Sequence, residues 1–171
     1  MYKTKELRDL MIKVDRKDFC PPNRNPYHDY SVMLENCSYL NSPSFVKFDM
    51  YKTKELRDLM IKVDRKDFCP PNRNPYHDYS VMLENCSYLN SPSFIASSLE
   101  PALLKLKPGD TVLDVGTGSG YTAACLGYMV RPHGKVYSLD HMEYLVNFSK
   151  ENIRKNHAHL LDEGVVNIMR K

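Results

Sequence analysis

Thr111-Val-Leu-Asp-Val-Gly-Thr-Gly-Ser-Gly-Tyr121 reads as a strand running without a break into a glycine loop. Val112, Leu113 and Val115 predict a buried strand, and a helix is expected to open near Ser119. Gly116, Gly118 and Gly120 alternate between them. Glycine tolerates positive φ and lets a ligand approach the backbone. The first turn of a helix leaves N–H groups without intrahelical partners, aimed at whatever sits before it. A strand, a glycine loop and a helix N-terminus in this order predict a nucleotide-type cofactor site at the carboxyl end of a parallel sheet.

The dinucleotide fingerprint requires G-x-G-x-x-G. Counted from Gly116, its third glycine falls on Tyr121, which disfavours a nicotinamide oxidoreductase. The spacing here is G-x-G-x-G behind an acid, Asp114. Further on, Lys135-Val-Tyr-Ser-Leu-Asp140 predicts a second strand ending in a carboxylate. An acid at that place accepts hydrogen bonds from the ribose hydroxyls of an adenosyl group. The glycine pattern resembles motif I of the S-adenosylmethionine-dependent methyltransferases.

The chain has 171 residues, a formal charge of +3 and 42% hydrophobic residues, which suits a soluble, cytoplasmic domain. No Lys/Arg stripe interleaved with aromatics speaks for nucleic acid, and no apolar run reaches the length of a membrane span. Cys20, Cys37, Cys69, Cys86 and Cys125 form no C-x-x-C pair, so reduced thiols are expected rather than a metal site. His157-Ala-His159 is read as a solvated helix end.

Met1 to Phe45 recurs letter for letter at Met50 to Phe94, joined by Val46-Lys-Phe-Asp49. Two identical copies differ from a solenoid, whose repeats diverge and stack. Three regions are expected: 1–49, a loosely packed first copy; 50–110, the second copy and a helical cap; and 111–171, a partial cofactor-binding domain. In the second copy Leu56, Leu59, Met60 and Val63 fall at helical spacing, with Thr53 as N-cap and Glu55 in the first turn. Cys69 to Asp78 reads as loop, where Tyr76 and Asp78 serve either a substrate loop or an Asx turn, and 81–90 as extended. A helix near Ser93 to Leu106 buries Ile95, Ala96, Leu99, Leu103 and Leu106, with Pro101 kinking or restarting it. Helices over 121–130 and from about Met142 to Asn156 follow, the second burying Leu145, Phe148, Asn152 or Ile153; then comes a link at 160–164 and a strand at 165–169. The fold class is α/β: the first three strands of a Rossmann-like doubly wound sheet behind a helical N-terminal region.

From about Leu56 onward the chain resembles protein-L-isoaspartate O-methyltransferase. The likeness is carried by Val63-Asp-Arg-Lys-Asp-Phe68, Asn74-Pro-Tyr-His-Asp78, Leu113 to Leu126, Gly134-Lys-Val-Tyr-Ser-Leu-Asp-His141, Glu143-Tyr-Leu-Val146 and Asn152-Ile-Arg-Lys155. The resemblance implies methyl transfer from S-adenosylmethionine to the carboxylate of isoaspartyl residues in damaged proteins and peptides. It places Asp114, Gly116, Gly118, Ser119 and Gly120 along the methionine end of the cofactor, Asp140 at the ribose and His141 beside the adenine. Aligned on Pro92, the family's segment over the reacting centre falls on Tyr88-Leu-Asn-Ser-Pro92. This sets Asn90 at the position of the family's catalytic Ser, with Tyr88 and Pro92 on the substrate side. Asn still donates through its amide. The family's Gly-Asp-Gly segment after the third strand has no counterpart here, so Val165 to Lys171 is expected to be an edge strand. A truncated, inactive remnant that binds cofactor weakly or serves as an interaction module is the alternative expectation.

Overall fold

The computed structural model describes residues 51, 53–84 and 87–171; the first copy of the repeat, expected to pack loosely, lies outside them. Thr53 begins the ordered sequence of elements. Its hydroxyl accepts from the Leu56 amide at 3.3 Å and caps α1, Lys54–Lys62, which turns Leu56 and Met60 inward. After Val63 the chain tightens into a 3₁₀ helix, Arg65–Phe68, capped by Asp64. A turn region follows, in which the Asn74 side chain accepts from the Tyr76 amide at 2.9 Å, an Asx turn. Residues 81–90 supply a small antiparallel hairpin of β1, Val81–Met82, and β2, Tyr88–Leu89.

Helix α2 runs Pro92–Lys105, with Ser91 as N-cap and Pro92 in the first turn, where a missing N–H costs nothing. The Asp78 carboxylate also accepts from the Ser93 amide, at 2.9 Å, so Asp78 serves this helix start. Pro101 does not restart the helix, which runs through it. Pro101 and Ser97, whose carbonyl loses the proline's bond, are both exposed, where water satisfies what the ladder loses.

Three strands form a parallel sheet in the order β3 (Thr111–Val115), β4 (Lys135–Asp140), β5 (Val166–Arg170). Between them lie α3, Tyr121–Val130, and α4, Glu143–Asp162. On one sheet face Val136, Ser138, Val166 and Ile168 are buried beneath these helices. Leu113 and Val115, expected inside, are instead 58% and 70% exposed. Among the described residues β3 pairs only with β4, so the expected edge at β5 has a second edge opposite it at β3.

The last helix also corrects the sequence reading. It continues six residues beyond the expected end at Asn156, because Leu160 is fully buried and holds the extra turns down. A break at His157 (φ −132°, ψ 25°) marks the place where the end was expected. His157 is not solvated: it is 4% exposed, stacked on Phe68 at 6.1 Å and hydrogen-bonded through Nδ1 to the Tyr128 hydroxyl at 3.0 Å. Burial lowers its pKa below the ordinary 6.5, against the opposing pull of Asp67. The folded chain therefore binds fewer protons than the unfolded chain as pH falls below about 6.5. Stability is expected to be full above that pH and to decline below it, and His157→Gln should flatten the acid limb of a urea-midpoint profile. An unchanged limb would mean that His157 does not report on folding.

Of the five cysteines, Cys69 and Cys125 are described; both are free and buried, and burial pushes the Cys125 thiol up to about 12, leaving it inert. Among the described residues no helix is long and apolar enough to cross a membrane.

Candidate functional site

The register of β3 on β4 sets Asp114 opposite Ser138. Ser138 Oγ donates to Asp114 Oδ2 at 2.6 Å, and Thr117 Oγ1 lies 2.6 Å from Ser138 Oγ. Ser138 has one proton, spent on Asp114, so Thr117 donates to Ser138. These groups form a polar floor under the glycine loop. Burial raises the Asp114 carboxyl above its ordinary range; the Ser138 bond opposes this and the Asp140 charge adds to it.

The loop is fastened to the end of β4. Gly116 and Thr117 amides donate to the Leu139 carbonyl at 2.8 and 3.1 Å. The Gly118 amide donates to Asp140 Oδ2 at 3.1 Å, and the Met142 amide to Asp140 Oδ1 at 3.0 Å. Asp140 is thus only 6% exposed and is clamped onto the backbone of both loops it joins. His141 points out, 83% exposed, with Nδ1 3.4 Å from Asp140 Oδ1. Ser119 is buried: its hydroxyl accepts from the Tyr121 amide at 3.4 Å and its carbonyl from Asn152 Nδ2 at 3.0 Å. Its side chain belongs to the helix start, while Gly116 faces open space: a Cβ there would meet nothing within 4 Å.

The residues expected on the substrate side come from about 30 positions earlier in the chain, yet their segment reaches this loop. A Cβ placed on Gly118 would lie 3.8 Å from Ser87 Oγ and 3.9 Å from the Tyr88 carbonyl. The β1–β2 hairpin therefore lies against the glycine loop. Tyr88 is 53% exposed and Asn90 is exposed just beyond β2. Pro92 is different: expected to face substrate, it is fully buried, because the first turn of α2 packs it into the core.

Several residues that shape the site carry no motif of their own. Ser138 and Thr117 make the floor, and Asn152, 1% exposed, ties α4 to the loop. Lys155 Nζ donates to Asn152 Oδ1 at 2.8 Å and to the Asp67 carbonyl at 2.6 Å, which links the loop to the 3₁₀ helix. A polar residue such as Ser138 on the same parity as the buried Val136 is the sequence signal that could have found it.

The profile of the family described as Protein-L-isoaspartate(D-aspartate) O-methyltransferase (PCMT) matches residues 46–169, more than half of the chain. The chain belongs to this family. A protein-L-isoaspartate O-methyltransferase of Caenorhabditis elegans is 42% identical over 74 residues, covering 43% of this chain and 33% of that one. A wheat (Triticum aestivum) relative of the same name is 43% identical over 63 residues, 37% of this chain and 27% of its own. The chain spans a third or less of the length of these relatives. Among solved structures, a Plasmodium falciparum protein assigned to protein-L-isoaspartate O-methyltransferase, in complex with S-adenosyl-L-homocysteine, superposes with a TM-score of 0.71. It is 28% identical, and the match covers 78% of this chain and 64% of that one. A second structure titled protein-L-isoaspartate O-methyltransferase, 21% identical, shares the fold at a TM-score of 0.61 over 75% of this chain and 42% of its own.

Proposed function

We propose that this protein takes part in methyl transfer from S-adenosylmethionine to the carboxylate of isoaspartyl residues in damaged proteins and peptides. The observation that carries the reading is the seating of the Ser87–Tyr88 segment within about 4 Å of the Gly118 position, which brings a substrate-side segment to a cofactor-type loop.

The residues present fit an adenosyl cofactor. Open space over Gly116 admits a ligand to the backbone, α3 starts directly after the glycine loop, and Asp140 ends β4 with its carboxylate on the Gly118 amide. Asp114, Gly116, Gly118 and Gly120 would cradle the methionine end, with Ser119 contributing backbone only. Asp140 would receive the ribose hydroxyls on lone pairs left over from its two amide bonds, and the outward His141 would flank the base. Bound there, S-adenosylmethionine supplies an electrophilic methyl group.

The protein's own part is modest in chemistry and strict in geometry. An acceptor carboxylate is already ionised at neutral pH, so no strong base is required. Holding its oxygen in line with the methyl group is the main source of rate. Asn90, exposed next to β2, would donate its amide N–H to that carboxylate, and Tyr88 would flank the peptide.

Calorimetric titration with S-adenosylhomocysteine tests the cofactor half of this reading, with a dissociation constant expected on the order of micromolar. A methylation assay on an isoaspartyl peptide, against its aspartyl isomer, tests the other half. A folded sample that binds no S-adenosylhomocysteine would defeat the proposal. Binding without transfer would restrict the protein to a cofactor-binding module.

A further inference from the structure

Arg65 is the most deeply buried cation among the described residues, 4% exposed, and the glycine loop does not use it directly. Its Nη2 donates to the Leu89 carbonyl at 3.3 Å, whereas Nε and Nη1, also buried, have no hydrogen-bond partner among the described residues. A guanidinium held in this way costs free energy unless something is gained by it. The gain is read from what it touches. Leu89 is the last residue of β2 and precedes Asn90, and β2 belongs to the hairpin that lies against Gly118.

Arg65 itself stands on a fixed base. The 3₁₀ helix that carries it is held by Lys155 Nζ on the Asp67 carbonyl at 2.6 Å and by Asn156 Nδ2 on Asp67 Oδ2 at 2.7 Å. Lys155 reaches Asn152, and Asn152 reaches the Ser119 carbonyl of the glycine loop. Hydrogen bonds from the glycine loop to Asp67, and from Arg65 of the same 3₁₀ helix to Leu89, thus link the loop to the backbone next to Asn90.

We propose that Arg65 is a positioning residue: through the Leu89 carbonyl it fixes the height of Tyr88 and Asn90 over the glycine loop. This rests on the reading of the site as a methyltransferase centre. Direct contact with substrate is disfavoured by space. The cavity that Arg65 lines with Asp64, Tyr76, Pro92 and Tyr121 is about 20 Å³, room for about one water and not for a peptide group.

The test compares Arg65→Met and Arg65→Lys in the full chain. Arg65→Met keeps the bulk and loses every donor; Arg65→Lys keeps the charge and one donor aimed at Leu89. The expected result for Arg65→Met is a fall of about tenfold in kcat for an isoaspartyl peptide, from a small displacement of the acceptor. S-adenosylhomocysteine affinity should stay within about twofold of wild type, because the cofactor loop keeps its own contacts. Arg65→Lys should recover part of the rate. Parallel losses of cofactor affinity and rate, or a Lys variant no better than Met at equal melting temperature, would overturn the proposal. If Arg65→Met does not fold, Arg65→Lys decides alone: its kcat must fall while its cofactor affinity holds. Amide hydrogen exchange gives a readout that needs no activity. Residues 88–90 should exchange faster in the variant while β4 is unchanged, and no difference in the hairpin overturns the proposal. Wild-type protein that neither binds S-adenosylhomocysteine nor transfers methyl counts against the functional reading instead, and the exchange experiment then still decides the role of Arg65.

Discussion

Gly120→Ala is expected to lose a large share of the stability of the folded chain and to weaken cofactor binding with it. Gly120 is the residue before α3 and has φ +87°. An alanine held there carries left-handed strain of about 1–2 kcal/mol. Space adds to this: the new Cβ would lie 2.9 Å from Ser149 Cβ and 3.1 Å from the Ser149 carbonyl, on a buried turn of α4. Overpacking of this kind costs about 1–3 kcal/mol, so the sum is about 2–5 kcal/mol. A domain has only about 5–15 kcal/mol in total. Gly116→Ala separates the two causes. Gly116 also has positive φ, +96°, but its Cβ would enter open space. That variant should stay folded with only the strain cost of about 1–2 kcal/mol, yet bind S-adenosylhomocysteine more weakly because the methyl group projects into the ligand's place. Urea midpoints and calorimetry on the pair decide it. Equal destabilisation by the two substitutions would show that the approach of α4 to Gly120 is not what limits that position.

The same contrast shows why some of this fold is legible in the sequence and some is not. Local rules place α1 because Thr53 is a cap and Leu56 and Met60 share a face, and they place α3 because Ala123, Ala124, Leu126 and Val130 follow a glycine start. What fails depends on partners far away. Leu113 and Val115 have the apolar composition of an inner strand, and composition alone cannot say which neighbour strand is at hand. The end of α4, expected at Asn156, is hidden for a related reason. A histidine near a helix end reads as solvated until Phe68, almost ninety positions earlier, is seen to stack on it.

The candidate site divides in the same way. One half, Gly116 to Gly120 behind Asp114, is contiguous and repeats a known spacing, and Asp140 ends the next strand, so this half is visible in the letters. Its supporting half is not. Ser138 matters because the β3–β4 register puts it opposite Asp114, Asn152 because α4 crosses the loop, and Arg65 because its guanidinium ends on the Leu89 carbonyl 24 positions later. Each is a single polar residue whose purpose is set by tertiary pairing. Pro92 shows the reverse error: an aligned motif position that helix packing has withdrawn from the surface.

Asp140→Ala is the second substitution expected to act strongly, and it tests whether one carboxylate does two jobs. In the fold it receives the Gly118 and Met142 amides, one on each oxygen. Removing it leaves both amides without that acceptor, at about 1–3 kcal/mol for each amide that water does not reach. In the proposed complex it also receives ribose hydroxyls, and hydrogen bonds to a charged acceptor are worth about 1.5–3 kcal/mol each. Loss of about 3 kcal/mol of binding corresponds to a fall of about 100-fold in S-adenosylhomocysteine affinity. Asp140→Asn should fall between: its one remaining oxygen can serve the Gly118 amide or the Met142 amide but not both, and its NH₂ faces the other donor. The order wild type, Asn, Ala is therefore expected in both urea midpoint and affinity. A variant that loses stability but keeps its affinity would confine Asp140 to holding the glycine loop. The converse, affinity lost with the urea midpoint intact, would show that the two amide bonds contribute little to folding and that the carboxylate is held in place for the ligand.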